Sequence, residues 1–236
     1  MTQVPISAVL FDLDDTLWPI LPVIRRAETL MYDWLQRHAP AVARRFSIDS
    51  LRERRKELMA TDPVYQLDLR ELRRAGLAEA FASAGEDPAG VEQALAVFSR
   101  ARNEVSPFPD VLPVLGLLRE RLVLGSVSNG VADLDAIGIA HYFRVSIAAH
   151  QTGCAKPDPA IFHAACDALG VAPEAAVYVG DDPVLDVEGA QNAGLRGVLL
   201  RRPGQAALTL PGHIRPDAVC TTFYELEQWL SGHSVS

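Results

Sequence analysis

Short apolar runs that never alternate with polar residues restrict how this chain folds more than any other feature. Ala8–Phe11, Leu122–Val127, Val145–Ala149, Ala175–Val179 and Gly197–Leu200 are such runs, with a weaker one at Asp217–Cys220. A strand that is apolar on both faces belongs in a sheet covered on both sides, the setting of parallel sheets. Helical patterns lie between the runs. Val111–Arg121 is apolar on one face, Asp158 and Pro159 have the form of an N-cap and first helical residue, and Gly170 closes that helix after Leu169. Strands alternating with helices predict an α/β chain with a doubly wound parallel sheet.

Residues 20–100 break the alternation. Ile24, Ala27, Leu30, Met31, Trp34 and Leu35 fall at helical spacing, Ser50-Leu51-Arg52-Glu53 has the form of a capping box, and Asp87-Pro88 opens a further helix. Roughly four helices without a strand read as an insert, with Pro19, Pro22 and Pro107-Phe108-Pro109 at its junctions. The expected domains are an α/β core of 1–19 and 101–236 and a helical unit of 20–100. Charge supports the division. The insert carries a net +1, while the rest of the chain carries −9 of the total of −8.

That charge disfavours a nucleic acid polymer as partner, because phosphate neutralisation needs clustered cations. No apolar run approaches the ~20 residues of a membrane span. No positive charge precedes Arg25, and Asp12 and Asp14 interrupt the first apolar stretch, unlike a secretory signal. Cys154, Cys166 and Cys220 form neither a zinc pattern nor a disulfide framework, so a soluble protein of the reducing cytoplasm is expected.

In an open parallel sheet, ligands bind beyond the carboxyl ends of the strands. Four polar clusters follow apolar runs here: Asp12/Asp14, Ser128-Asn129-Gly130, Lys156, and Asp181/Asp182 with Asp186. Lys156 is one of two lysines against twenty arginines. Residues two apart on a strand share a face, so Asp12 and Asp14 can address one small volume. Adding Asp181 crowds three carboxylates, which calls for a cation. Oxygen ligands without a His/Cys set favour a hard ion, Mg²⁺. Two carboxylates then allow two roles: one attacks a phosphate, and the other donates and later removes a proton. Ser128 can hold phosphate oxygens and Lys156 can neutralise charge developing in transfer. Asp186 either accepts from Lys156 or orients a metal-bound water, and Asp182 either caps the next helix or reaches the metal.

Taken in order, Asp12-Leu13-Asp14-Asp15-Thr16, Ser128-Asn129-Gly130, Lys156-Pro157 and Gly180-Asp181-Asp182 with Asp186 resemble the four motifs of the haloacid dehalogenase superfamily, in its Mg²⁺-dependent phosphatase branch. The resemblance implies a Rossmann-like core with a helical type 1 cap. It implies Asp12 as the nucleophile that forms an aspartyl-phosphate and Asp14 as general acid/base. Mg²⁺ would be held by Asp12, the Asp14 carbonyl and Asp181. Ser128, Asn129 and Lys156 would bind phosphate, and Thr16 would position the first loop. Phe11 through Trp18, followed by Leu21-Pro22-Val23-Ile24, is also similar to bacterial phosphatases of flavin mononucleotide and of a phosphorylated riboflavin precursor.

The expected activity is therefore hydrolysis of a small phosphorylated metabolite. A phosphomutase and a catalytically inactive phosphometabolite-binding protein stay open beside it. A haloalkanoic-acid dehalogenase shares the fold but lacks a counterpart of Asp14. Arg25, Arg26, Arg70 and Arg73 either form solvated faces or meet the substrate. Trp18 either stacks on an aromatic leaving group or packs at the junction.

Overall fold

The computed structural model describes residues 4–204 and 209–233. Contacts divide the chain into two units, one of Met1–Pro19, Ser106–Gly130 and Gly138–Ser236, the other of Ile20–Val105 and Val131–Ile137. The helical unit thus extends past residue 100 and takes in a later segment.

In the first unit, six parallel strands form one sheet: β1 (Ala8–Phe11), β2 (Val123–Ser128), β3 (Val145–Ala148), β4 (Ala176–Gly180), β5 (Arg196–Leu200) and β6 (Ala218–Cys220). Their order is β3-β2-β1-β4-β5-β6. The chain leaves central β1 to one side and returns to the other, so a crevice opens at the carboxyl ends beside β1. Every residue of β1, β4 and β5 is buried, the physical reason their sequences do not alternate. Phe11 stacks on Phe223 with centroids 5.6 Å apart, and Phe162 meets Tyr178 edge-on at 4.9 Å.

The helices of the whole chain are α1 (Ile20–His38), α2 (Pro40–Arg45), α3 (Ile48–Met59), α4 (Val64–Leu67), α5 (Leu69–Ala84), α6 (Ala89–Arg102), α7 (Val111–Leu118), α8 (Leu134–Ile137), α9 (Ala149–Thr152), α10 (Pro159–Leu169), α11 (Gly189–Asn192) and α12 (Phe223–Ser231). The cap of α10 forms as its sequence implies: the Asp158 carboxylate accepts from the Ala160 amide at 2.9 Å, and Gly170 takes a left-handed φ of 69°. Helix α7 stops at Leu118, three residues short of the expected end, and Arg119–Arg121 turn toward β2.

The inserted stretch of the helical unit has α1–α6 where about four helices were expected, because α2 and α4, six and four residues long, are too short for the periodicity of longer windows to resolve. Its core comprises Ala27, Met31 and Leu35 of α1 with Leu51, Leu77, Phe81, Leu95 and Phe98. Leu30 instead faces solvent, 40% exposed, at the margin of the stripe. The capping box of α3 lies one turn earlier than Ser50–Glu53. The Ser47 hydroxyl accepts from the Ser50 amide at 3.1 Å, and the Ser50 hydroxyl accepts from the Ser47 amide at 2.8 Å. A serine in place of the usual glutamate hid the box.

Among the described residues, no helix is long and apolar enough to cross a membrane, and all three cysteines are free thiols.

Candidate active site

Backbone register sets the site. Phe11 pairs with Ser126 on one side and Val179 on the other, and the Asp12 amide continues the ladder to the Val179 carbonyl at 2.9 Å. Asp12 therefore emerges between the ends of β2 and β4, where Ser128 and Asp181 also emerge. The chain then turns sharply. Asp15 adopts a left-handed φ of 63°, a conformation that Asp tolerates better than most residues.

Lys156 binds the cluster together. The residue is 5% exposed, and its ammonium donates to Asp12 Oδ1 at 2.6 Å, Asp186 Oδ1 at 2.7 Å and the Tyr178 hydroxyl at 2.8 Å. An ammonium has three hydrogens, and each has an acceptor here. Tyr178 passes its own proton to the Val127 carbonyl at 2.7 Å. Asp186 Oδ2 accepts from the Asp182 amide at 2.9 Å, and that approach depends on Gly180. A Cβ on Gly180 would lie 2.2 Å from Asp186 Oδ2 and 2.6 Å from the Asp186 Cβ.

Asn129 clamps the lysine loop at two points. Its Nδ2 donates to the Lys156 carbonyl at 3.0 Å, and its Oδ1 accepts from the Lys156 amide at 2.8 Å. Its side-chain amide is thereby engaged by backbone. The Ser128 hydroxyl accepts from the Gly130 amide at 2.9 Å and is buried. Asp182 caps the π-helical turn of Pro183–Glu188, accepting from the Val184 and Leu185 amides. Asp14 Oδ1 accepts from Trp18 Nε1 at 2.9 Å, and Trp18 is fully buried, so its ring offers no exposed stacking face. Thr16 Oγ1 donates to Asp181 Oδ1 at 3.4 Å, and the Thr16 carbonyl receives Arg202 Nη2 at 3.2 Å.

The charges do not balance. Carboxylate oxygens of Asp12, Asp181 and Asp186 lie within 4.8 Å of one another, with one ammonium among them. Burial pushes Asp12 up to about 7 against the pull of Lys156, with Asp186 and Asp14 adding to the rise. Burial, followed by the charges of Asp12 and Asp186, pushes Asp181 up to about 8. Burial alone would lower the Lys156 pKa, but Asp12 and Asp186 outweigh it and hold the ammonium well above its ordinary value. Burial likewise keeps the Tyr178 phenol protonated. With all three carboxylates ionised beside one ammonium, two negative charges would stand uncompensated, a charge that a divalent, oxygen-preferring cation fits.

Sequence reading named Asp12, Ser128, Asn129, Lys156, Asp181 and Asp186, and the fold brings all six to this edge. It places the side chain of Asp182 on a helix cap and that of Asp14 against Trp18. It also adds Tyr178, which the sequence reading missed. The one signal was a hydroxyl inside the otherwise apolar run of β4.

Comparisons with known proteins place the chain among relatives. A family model described as haloacid dehalogenase-like hydrolase matches residues 6–194. A glyceraldehyde 3-phosphate phosphatase of Methanopyrus kandleri is 35% identical over 214 residues, covering 84% of each chain. A 5-amino-6-(5-phospho-D-ribitylamino)uracil phosphatase of Escherichia coli is 30% identical over 83% of this chain and 84% of its own. The crystal structure of a 2-haloacid dehalogenase from Pseudomonas syringae superposes with a TM-score of 0.89 at 36% identity, covering 96% of this chain and 99% of that one. A match that runs from before β1 to beyond Asp186, and relatives alike over more than four-fifths of the chain, leave one assignment: this chain belongs to the haloacid dehalogenase-like hydrolases.

Proposed function

We propose that the chain is a Mg²⁺-dependent phosphomonoesterase acting on a small phosphorylated metabolite through a phospho-aspartate. The observation that carries this reading is the buried carboxylate of Asp12 at the head of β1, 2.6 Å from Lys156 inside a cluster short of two positive charges. Asp12, Asp181 and the Asp14 loop would hold the ion. When bound, it supplies neutralisation between an anionic nucleophile and an anionic phosphate.

The chain's own groups then divide the work. An Asp12 oxygen attacks phosphorus, the bond to the leaving oxygen breaks, and Asp14 gives that oxygen its proton. Water, losing its proton to Asp14, next attacks phosphorus, which releases inorganic phosphate and restores Asp12. Ser128 faces the phosphate oxygens. Lys156 pulls Asp12 toward its ionised form and orients it, with Tyr178 and Asp186 fixing the ammonium, while Asn129 acts through the Lys156 backbone. The helical unit takes the part of the family's type 1 cap, which selects the leaving group. Similarity to the ribitylaminouracil phosphatase, together with the Phe11–Trp18 likeness, favours flavin mononucleotide or a phosphorylated riboflavin precursor as substrate.

A second reading, halide displacement from a 2-haloacid, rests on the Pseudomonas syringae structure. It leaves Asp14 and the excess of carboxylates without a task. The test is release of phosphate from flavin mononucleotide, the ribitylaminouracil phosphate, glyceraldehyde 3-phosphate and an aryl phosphate, with and without Mg²⁺, beside halide release from 2-chloropropionate. Mg²⁺-dependent phosphate release that Asp12→Asn abolishes without unfolding is expected. Halide release without phosphate release would install the second reading. Release of neither would leave a mutase or an inactive binder.

A further inference from the structure

Lys156 has no hydrogen to spare. The three donors of its ammonium go to Asp12 Oδ1 at 2.6 Å, Asp186 Oδ1 at 2.7 Å and the Tyr178 hydroxyl at 2.8 Å. A phosphate oxygen that arrives beside Asp12 therefore reaches the ammonium only by taking the place of one of these acceptors.

The three differ in what their release leaves behind. Without the ammonium, Asp12 or Asp186 is a buried carboxylate stripped of its cation, a costly state. Tyr178 is the neutral acceptor of the three: burial pushes its phenol well above the ordinary pKa, so the hydroxyl stays protonated. That proton already goes to the Val127 carbonyl at 2.7 Å. When the ammonium leaves, the hydroxyl keeps this partner and gives up one accepted bond, a far smaller loss than an orphaned charge.

The surroundings confine the exchange to the lysine side chain. Tyr178 is fully buried on β4, and its ring meets Phe162 edge-on at 4.9 Å, so the hydroxyl is a fixed post that does not follow the ammonium. The Lys156 backbone is fixed as well, because the Asn129 side chain holds both its amide and its carbonyl.

We infer that Tyr178 is a positioning residue that competes with phosphate for the third hydrogen of Lys156, and so sets how tightly substrate and product phosphate are held. The inference rests on the reading of these strand ends as a phosphatase site. In the free protein the hydroxyl steadies the ammonium against Asp12. In the complex, the bond that Tyr178 gives up subtracts from phosphate affinity and favours release of the product.

Tyr178→Phe keeps the ring against Phe162 and removes the competing oxygen. The experiment is calorimetric titration of inorganic phosphate into the full chain in the presence of Mg²⁺. The variant is expected to bind phosphate about five-fold tighter than wild type, the fold-change of one ordinary hydrogen bond. A tyrosine that serves only packing predicts no gain, because a loosened cluster binds phosphate no better than an intact one. Equal or weaker binding by the folded variant would overturn the inference, as would binding to neither protein. In a Lys156→Met background the gain is expected to vanish, since it passes through the ammonium, and a gain that survives there would also overturn it.

Steady-state kinetics give a second readout. Tyr178→Phe is expected to lower KM for an aryl phosphate and the inhibition constant of phosphate together, each about five-fold, without raising kcat. A rise in KM would count against the inference. If wild type hydrolyses no ester, the phosphatase reading falls, while the phosphate titration still decides the role of Tyr178.

Discussion

Asp12 and Asp14 stand two residues apart in different surroundings, and the difference suits different tasks. Asp12 touches an ammonium, which favours its charged form, whereas Asp14 accepts from the neutral indole N–H of Trp18 at 2.9 Å. If Asp14 protonates the leaving group, Asp14→Asn should slow turnover of an alkyl phosphate by about 10²–10⁴-fold. The loss should be much smaller for an aryl phosphate, whose leaving group needs no proton. Equal losses for both esters in steady-state assays would remove Asp14 from that role. Asp182 shows why a motif residue need not touch the chemistry. Its carboxylate is occupied by the two amides that open the next helical turn, the capping alternative of the two that the sequence left open. Tyr178 shows the converse, a residue inside an apolar strand whose hydroxyl meets Lys156 because β2 and β4 flank the same crevice.

At the scale of elements, two contacts hold the strand ends in place. Gly180 closes β4 where the Asp186 side chain folds back across it. Gly180→Ala should displace Asp186 from Lys156, lower Tm and cut turnover at least ten-fold, since the clash reaches the Asp186 Cβ as well as the carboxylate. A crystal structure or a melting curve of the variant identical to wild type would sink that account. The second contact is Arg202, buried after β5, whose Nη1 meets both oxygens of Asp110 at 2.8 and 2.7 Å. The guanidinium lies over Phe108 at 4.3 Å, and Asp110 also accepts from the Phe223 amide at 2.8 Å. Arg202→Met leaves a buried carboxylate without its cation and should cost about 3–5 kcal/mol in chemical denaturation. The double variant with Asp110→Asn should lose clearly less than the sum of the two single losses. Additive losses would mean the pair is not coupled.

At the scale of the whole molecule, the α/β core gathers three carboxylates around one lysine at the strand ends. If a divalent ion completes that cluster, chelation should stop phosphate release and lower Tm, and Mg²⁺ should restore both. Asp181→Asn should lose the Mg²⁺-dependent part of Tm while still folding. Retention of the full Mg²⁺ shift in that variant, read by calorimetry, would take Asp181 out of the ligand set.

Local chemistry let the sequence alone determine the parallel sheet, the caps of α10 and the four polar clusters at the strand ends. Burial on both faces removes alternation, and a carboxylate after an apolar run has nowhere to lie but the sheet edge. Short-range ambiguity hid the single-turn helices, the serine–serine cap of α3 and the extent of the helical unit. Only the tertiary structure decided the partners of buried charge: Lys156 with Asp12 across 144 residues, Arg202 with Asp110 across 92, and Glu28 with Arg52 and Arg55 of the next long helix. A buried ion's partner is chosen by which elements pack together, and no local pattern in the chain encodes that choice.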